Sequence, residues 1–209
     1  MRERTRNAAS RMVDSNPIRA AGAHLALLRG INVGGKNILP MKALAAMFTE
    51  SGCIDVRTYI QSGNVIFDAV LNIVESITAE IEKRFGMRIP VMLRSAEQMS
   101  VIAHNNPFMQ VGTDENLLYV LFLADAPHPG NVKKLDPDRS PPDAFRVHNR
   151  EVYLHLPNGA GRTKLTNSYF DAKLATTSTG RNWRTVLALA QLLDERCRPR
   201  EIDSASAAQ

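Results

Sequence analysis

Apolar positions recur along the chain with two spacings, and their succession sets out the elements. Residues 25–28 form an unbroken apolar run, the mark of a buried strand. After Pro40, the residues Met41, Leu44, Ala45 and Phe48 share one helical face, and the pattern stops near Gly52. Val56, Thr58 and Ile60 then alternate with polar neighbours, as do Val65 and Phe67, with Ser62-Gly63 between them as a tight two-residue turn. Asn72 with Glu75 has the form of a capping box before a helix whose core face is Val74, Ile77, Ile81 and Phe85, and Gly86 ends it. Residues 89–93 read as a further strand, and Ser95 with Gln98 opens a linking helix. The order βαββαβ is the ferredoxin-like plan.

The polar, turn-rich stretch 105–116 divides the chain. Beyond it comes an apolar strand over 117–124, a short helix around 131–135, and a connector through Pro137, Pro141 and Pro142. Phe145/Val147 and Val152/Leu154 predict a hairpin around Asn149-Arg150, and a helix follows near 165–174. The last element reads as a helix over 182–193, where repetition of the first plan calls for a strand. The expected fold class is therefore α+β: two ferredoxin-like (βαββαβ-type) subdomains with antiparallel sheets covered by helices, an imperfect duplication. The expected divisions are a disordered basic extension at 1–22, subdomains at 23–105 and 106–197, and a disordered tail at 198–209.

Composition changes this picture little. The formal net charge is +5, but residues 1–22 hold five arginines against Glu3 and Asp14, which is three of the five charges and leaves the body at +2. A nearly balanced body argues against a long polyanionic partner. The leader has no apolar h-region, so it is not a secretory signal, and no apolar run is long enough to cross a bilayer. Cys53 and Cys197 have no motif spacing and read as reduced thiols of a cytoplasmic protein.

The candidate chemistry centres on the loop 29–37. Arg29, Gly30, Asn32, Gly34, Gly35, Lys36 and Asn37 place glycine backbone beside positive charge between a strand and a helix, a combination that suits a phosphate. In a βαββαβ unit this loop lies at the same end of the sheet as Gln61, Ser62, Gly63 and Asn64. With a two-residue turn, Gln61 opposes Asn64 and Tyr59 opposes Ile66, while Ile60, Val65 and Phe67 share the core face. Alternatively, Gly63 only permits the turn and the amides bond local backbone. The spacing from Gly30 to Gly35-Lys36 matches a P-loop until Asn37, where the magnesium-binding hydroxyl is missing, and the hairpin makes the strands antiparallel.

In the second unit Lys164, Thr166 and Asn167 begin a helix, where they suit an anion or simply cap. Arg181, Asn182 and Trp183 open the last helix; Asn182 is a natural N-cap, and Trp183 suits either base stacking or the core. His148 and His155 share a hairpin face with Arg146, Glu151 and Tyr153, read as a solvated or ligand-facing surface. They stand about 13 Å apart, too far for one metal ion. No metal site, cofactor or catalytic group is assigned. An enzyme would need Asp68, Asp171 or a histidine brought to the glycine loop.

The segments 26–37 and 58–65 closely resemble the bacterial family known as domain of unknown function 1697, and 164–167 with 181–186 are similar to its later motifs. The resemblance spans residues 24–195. It implies two related ferredoxin-like subdomains and carries no catalytic residues. The chain departs from the family pattern at Gly180, usually Thr, and at Arg184, commonly Asn. The resulting expectation is a binding module for a phosphate-bearing ligand, a nucleotide or nucleic acid, through loop 29–37. An enzyme acting on a phosphorylated small substrate and an interaction domain with no ligand are the alternatives; oligomeric state is left open.

Overall fold

The computed structural model describes residues 22–68, 73–109 and 113–198. The basic leader up to residue 21, Asn72 of the expected capping box, and the tail from residue 199 lie outside them. Among the described residues no helix is long and apolar enough to cross a membrane.

The first unit runs β1 (Ala23–Leu28), α1 (Met41–Glu50), β2 (Ile54–Tyr59), β3 (Asn64–Asp68), α2 (Val74–Phe85), β4 (Val91–Ser95) and α3 (Ala96–His104). Its antiparallel sheet has the order β2-β3-β1-β4. The second unit runs β5 (Leu118–Leu123), α4 (Pro129–Val132), β6 (Ala144–His148), β7 (Glu151–His155), α5 (Asn167–Leu174), β8 (Ser178–Asn182) and α6 (Trp183–Cys197), with sheet order β6-β7-β5-β8. Element for element the two halves correspond, so the chain is an α+β protein of two similar subdomains.

The strand missing from the sequence reading is β8. Its residues Ser-Thr-Gly-Arg-Asn include no large apolar side chain, so neither strand spacing nor β-propensity reveals it. Pairing with β5 alone fixes it, and its side chains make polar contacts instead of filling a core. The first hairpin also differs from expectation. Tyr59 pairs with Asn64 and Arg57 with Ile66, so the connection holds four residues, 60–63. Ile60 consequently leaves the core: its φ is +49° and it is 51% exposed. The second hairpin has the expected register, His148 opposite Glu151. Its face is solvated only in part: Arg146 and His148 are exposed, whereas Glu151 and Tyr153 are buried.

Three clusters of apolar side chains hold the layers. One lies under α1 and α2, around Leu44, Phe48, Phe67, Ile77 and Ile81. Another lies under α5, around Leu121, Leu154, Leu165 and Phe170. The third joins the halves: β1 contributes Leu25 and Leu27, β5 contributes Val120 and Phe122, and α3 and α6 lie between with Met99, Ile102, Trp183 and Leu189. Strand alternation makes this possible, since Ala26 and Leu28 of β1 face α1 and α2 while Leu25 and Leu27 face the other half. Trp183 is 1% exposed and anchors this shared core.

Two buried arginines fasten the halves in equivalent ways. Arg94, in β4, donates from Nε to Glu151 at 2.8 Å and from Nη2 to the carbonyls of Leu123 and Arg150, each at 2.9 Å. Arg181, in β8, donates from Nε to Asn64 Oδ1 at 2.6 Å and from Nη2 to the carbonyls of Leu28 and Ser62, each at 3.0 Å. Each arginine directly precedes the N-cap of the following helix, Ser95 for α3 and Asn182 for α6. Each grips the last residue of the other half's first strand, the turn of its hairpin and the first residue of its third strand. The contact is thus a pseudo-twofold, self-complementary one.

Candidate functional site

Loop 29–37 is built by its own amides. Asn32, at φ +55°, accepts the N–H of Leu39 at 2.8 Å and donates to the carbonyls of Leu39 at 3.0 Å and Gln61 at 2.9 Å. Asn37, at φ +49°, donates to the carbonyl of Gly30 at 2.9 Å. Gly34 and Gly35 turn the tip between Val33 and Lys36, which form an isolated bridge. The result is a small exposed arm, with Val33 63% exposed, rather than a glycine cradle at a helix N-terminus. Lys36 stands on that arm, exposed. The expected neighbourhood with residues 61–64 is present: Leu28 N–H donates to Gly63 O at 2.8 Å. Gly63 sits at φ +75° so close to Leu28 and Ile31 that an added Cβ would lie 2.8 Å from Leu28 Cβ.

From this loop a polar chain crosses to the other half. Arg29 pairs with Asp171 of α5, Asp171 accepts the Ser178 hydroxyl at 2.6 Å, and Ser178 accepts from Asn167 Nδ2 at 2.9 Å. Asp171 is thus the carboxylate brought to the glycine loop. Asp68 pairs instead with Arg196 near the end of α6.

Asn167 stands at the wall of a cavity of about 460 Å³ between the halves. Leu121, Leu154, Leu156 and Leu165 form its apolar base, with Tyr119 beside them. Ile60 and Ser62 enter from the first half's hairpin connection. The remaining wall is polar: Thr163, Thr166, Asn167, Asn182 and Thr185, with Arg181 behind. Thr166 caps α5, its hydroxyl accepting from Tyr169 N at 3.2 Å, and Asn182 caps α6, its Oδ1 accepting from Thr185 N at 2.8 Å. Two helix N-termini therefore open onto one cavity. No carboxylate lines it among the described residues. Arg162 and Lys164, on either side of Thr163, are exposed.

Arg181 itself is committed elsewhere. Besides its contacts across the halves it donates from Nη1 to Thr179 Oγ1 at 2.9 Å and to Gly180 O at 2.7 Å. Burial lowers its pKa to about 10, still far above neutrality, so it remains a cation among carbonyls. Arg94 is likewise lowered by burial, against the attraction of Glu151. Burial, and then Glu151, raise Tyr153 to about 12.

Of the residues singled out by sequence, Ser62, Thr166, Asn167, Arg181 and Asn182 meet at the cavity, and Lys164 stands next to it. Gly63 and Asn64 support it from beneath through Leu28 and Arg181. Gln61 is exposed and offers its carbonyl to Asn32. Gly30, Gly34, Gly35, Lys36 and Asn37 belong to the exposed arm, and Trp183 to the shared core. Sequence reasoning placed Ile60 in the core, noted Gly180 only as a departure from the family pattern, and passed over Arg94. The one available signal was an arginine immediately before an N-cap, occurring once in each half.

The family model described as "Protein of unknown function (DUF1697)" matches residues 22–153, more than half of the chain. The chain is also similar to the solved structure of the conserved bacterial protein SP0830 from Streptococcus pneumoniae, at 23% identity and a TM-score of 0.66. That likeness covers 83% of this chain and 99% of the other, and it concerns fold alone. Among curated proteins none matches.

Proposed function

The chain belongs to this DUF1697 family, whose description assigns no activity, and from its geometry we propose that it is a binding module for a small phosphate-bearing molecule held at the junction of the halves. The observation that carries this reading is the convergence of two helix N-termini, capped by Thr166 and Asn182, on a cavity that no carboxylate lines among the described residues. First-turn N–H groups have no intrahelical acceptor and sit at the positive end of the helix dipole, so an anion is the complementary ligand. Lys164 and Arg162 add charge beside the wall. The glycine arm takes a supporting part: through Arg29 and Asp171 it holds Asn167 in place. A body at +2 favours a small molecule over a polymer.

The test is native mass spectrometry of freshly purified protein, followed by calorimetric titration with mononucleotides and inorganic pyrophosphate. The expected outcome is a retained phosphate compound, or titrated binding that weakens about tenfold or more in Asn182→Ala, a loss of roughly 1.4 kcal/mol. Binding that survives Asn182→Ala and Lys164→Ala together without change would reject this site.

A further inference from the structure

Resting on that reading, the two apolar sides of the cavity narrow the ligand further, and we propose that it clamps a flat aromatic ring between Ile60 and the floor at Gly180. The ligand class is an aromatic phosphate of about mononucleotide size, rather than a sugar phosphate or free pyrophosphate. Two residues carry the argument, one from each half.

Gly180 lies in β8 with an ordinary backbone conformation, so no turn requires a glycine there. It is exposed toward the cavity, and a Cβ built on it would stand 3.1 Å from Leu121 Cδ2 and 3.7 Å from Asn167 Oδ1. The missing side chain therefore opens a flat floor of peptide and leucine carbon. Ile60 lines the same cavity from the other half. A β-branched residue at φ +49° is a conformational outlier, and this one is 51% exposed at the cavity wall instead of buried. Strain of this kind concentrates where a ligand is gripped. An apolar jaw, an apolar floor and a polar end wall suit a planar ring with an anionic group at its edge.

Titration of the full chain with AMP, phenyl phosphate and ribose 5-phosphate separates the outcomes. AMP and phenyl phosphate are expected to bind at least tenfold more tightly than ribose 5-phosphate. Ile60→Ala should remove that advantage while leaving ribose 5-phosphate unchanged. Gly180→Val should abolish aromatic binding, and Gly180→Ala, with its single methyl, should weaken it while the thermal melt stays near that of the parent. Equal binding of all three phosphates, each lost in Asn182→Ala, would overturn the ring clamp and leave the anion site standing. Binding of none of them would overturn both.

Discussion

Arg181 shows how much a single side chain can hold. Its fork reaches Asn64 and three backbone carbonyls of the first half, at Leu28, Ser62 and Gly63, in a place nearly closed to water. The Leu28 carbonyl is shared with the Thr179 hydroxyl and the Gly63 carbonyl with the Leu28 N–H, whereas Arg181 is the donor to Asn64 Oδ1 and to the Ser62 carbonyl. A buried acceptor left unpaired costs about 1–3 kcal/mol. Arg181→Lys keeps the charge but places one ammonium where a planar fork spans several acceptors. We expect it to lose about 3 kcal/mol in urea denaturation; a loss below about 0.5 kcal/mol, within the range of an ordinary surface change, would show that the fork is dispensable. The residue's role was only half legible in the sequence. An arginine before an N-cap invites a ligand reading, because nothing local shows that its partners lie more than a hundred residues away. Asn32 and Asn37 misled in the same way, since an amide in a glycine loop looks available until its bonds to Leu39, Gln61 and Gly30 are seen.

At the scale of elements, legibility followed burial. Helices with an apolar stripe and strands with apolar runs were located to within a few residues, and the Ser95–Gln98 capping box is present as expected. What escaped was β8, whose polar residues are held by neighbours and not by propensity, and the length of the β2–β3 connection, which two extra residues change. That connection is set by contact as well as by turn chemistry. Gly63 takes φ +75° against Leu28 and Ile31, so Gly63→Ala brings both backbone strain and overlap. Its expected cost is about 2–4 kcal/mol in chemical denaturation, combining left-handed strain with overpacking. Full stability in this variant would mean that the hairpin end moves freely relative to Ile31.

For the whole molecule, the shared cluster of β1, β5, α3 and α6 makes each half part of the other's core. Both arginine contacts add to that joint surface, so neither half is closed alone. The expected outcome in differential scanning calorimetry is one transition, with calorimetric and van't Hoff enthalpies equal. Two resolved transitions would show that the halves unfold independently. Here the sequence was most informative about the parts and least about their union: the duplication could be read from element order, whereas the faces that meet could not, because both faces of β1 are apolar.

That shared core also bears on how the protein is made. The chain emerges from its N-terminus, so β1 and its sheet are synthesised long before α6, which is the element that covers Leu25 and Leu27. Until then the apolar sheet face has only α3 of its own half against it, and the Leu28 and Ser62 carbonyls wait for Arg181. The growing chain thus carries part of that apolar surface uncovered until residues 183–197 are made, and the last described helix, once delivered, completes both halves at one stroke.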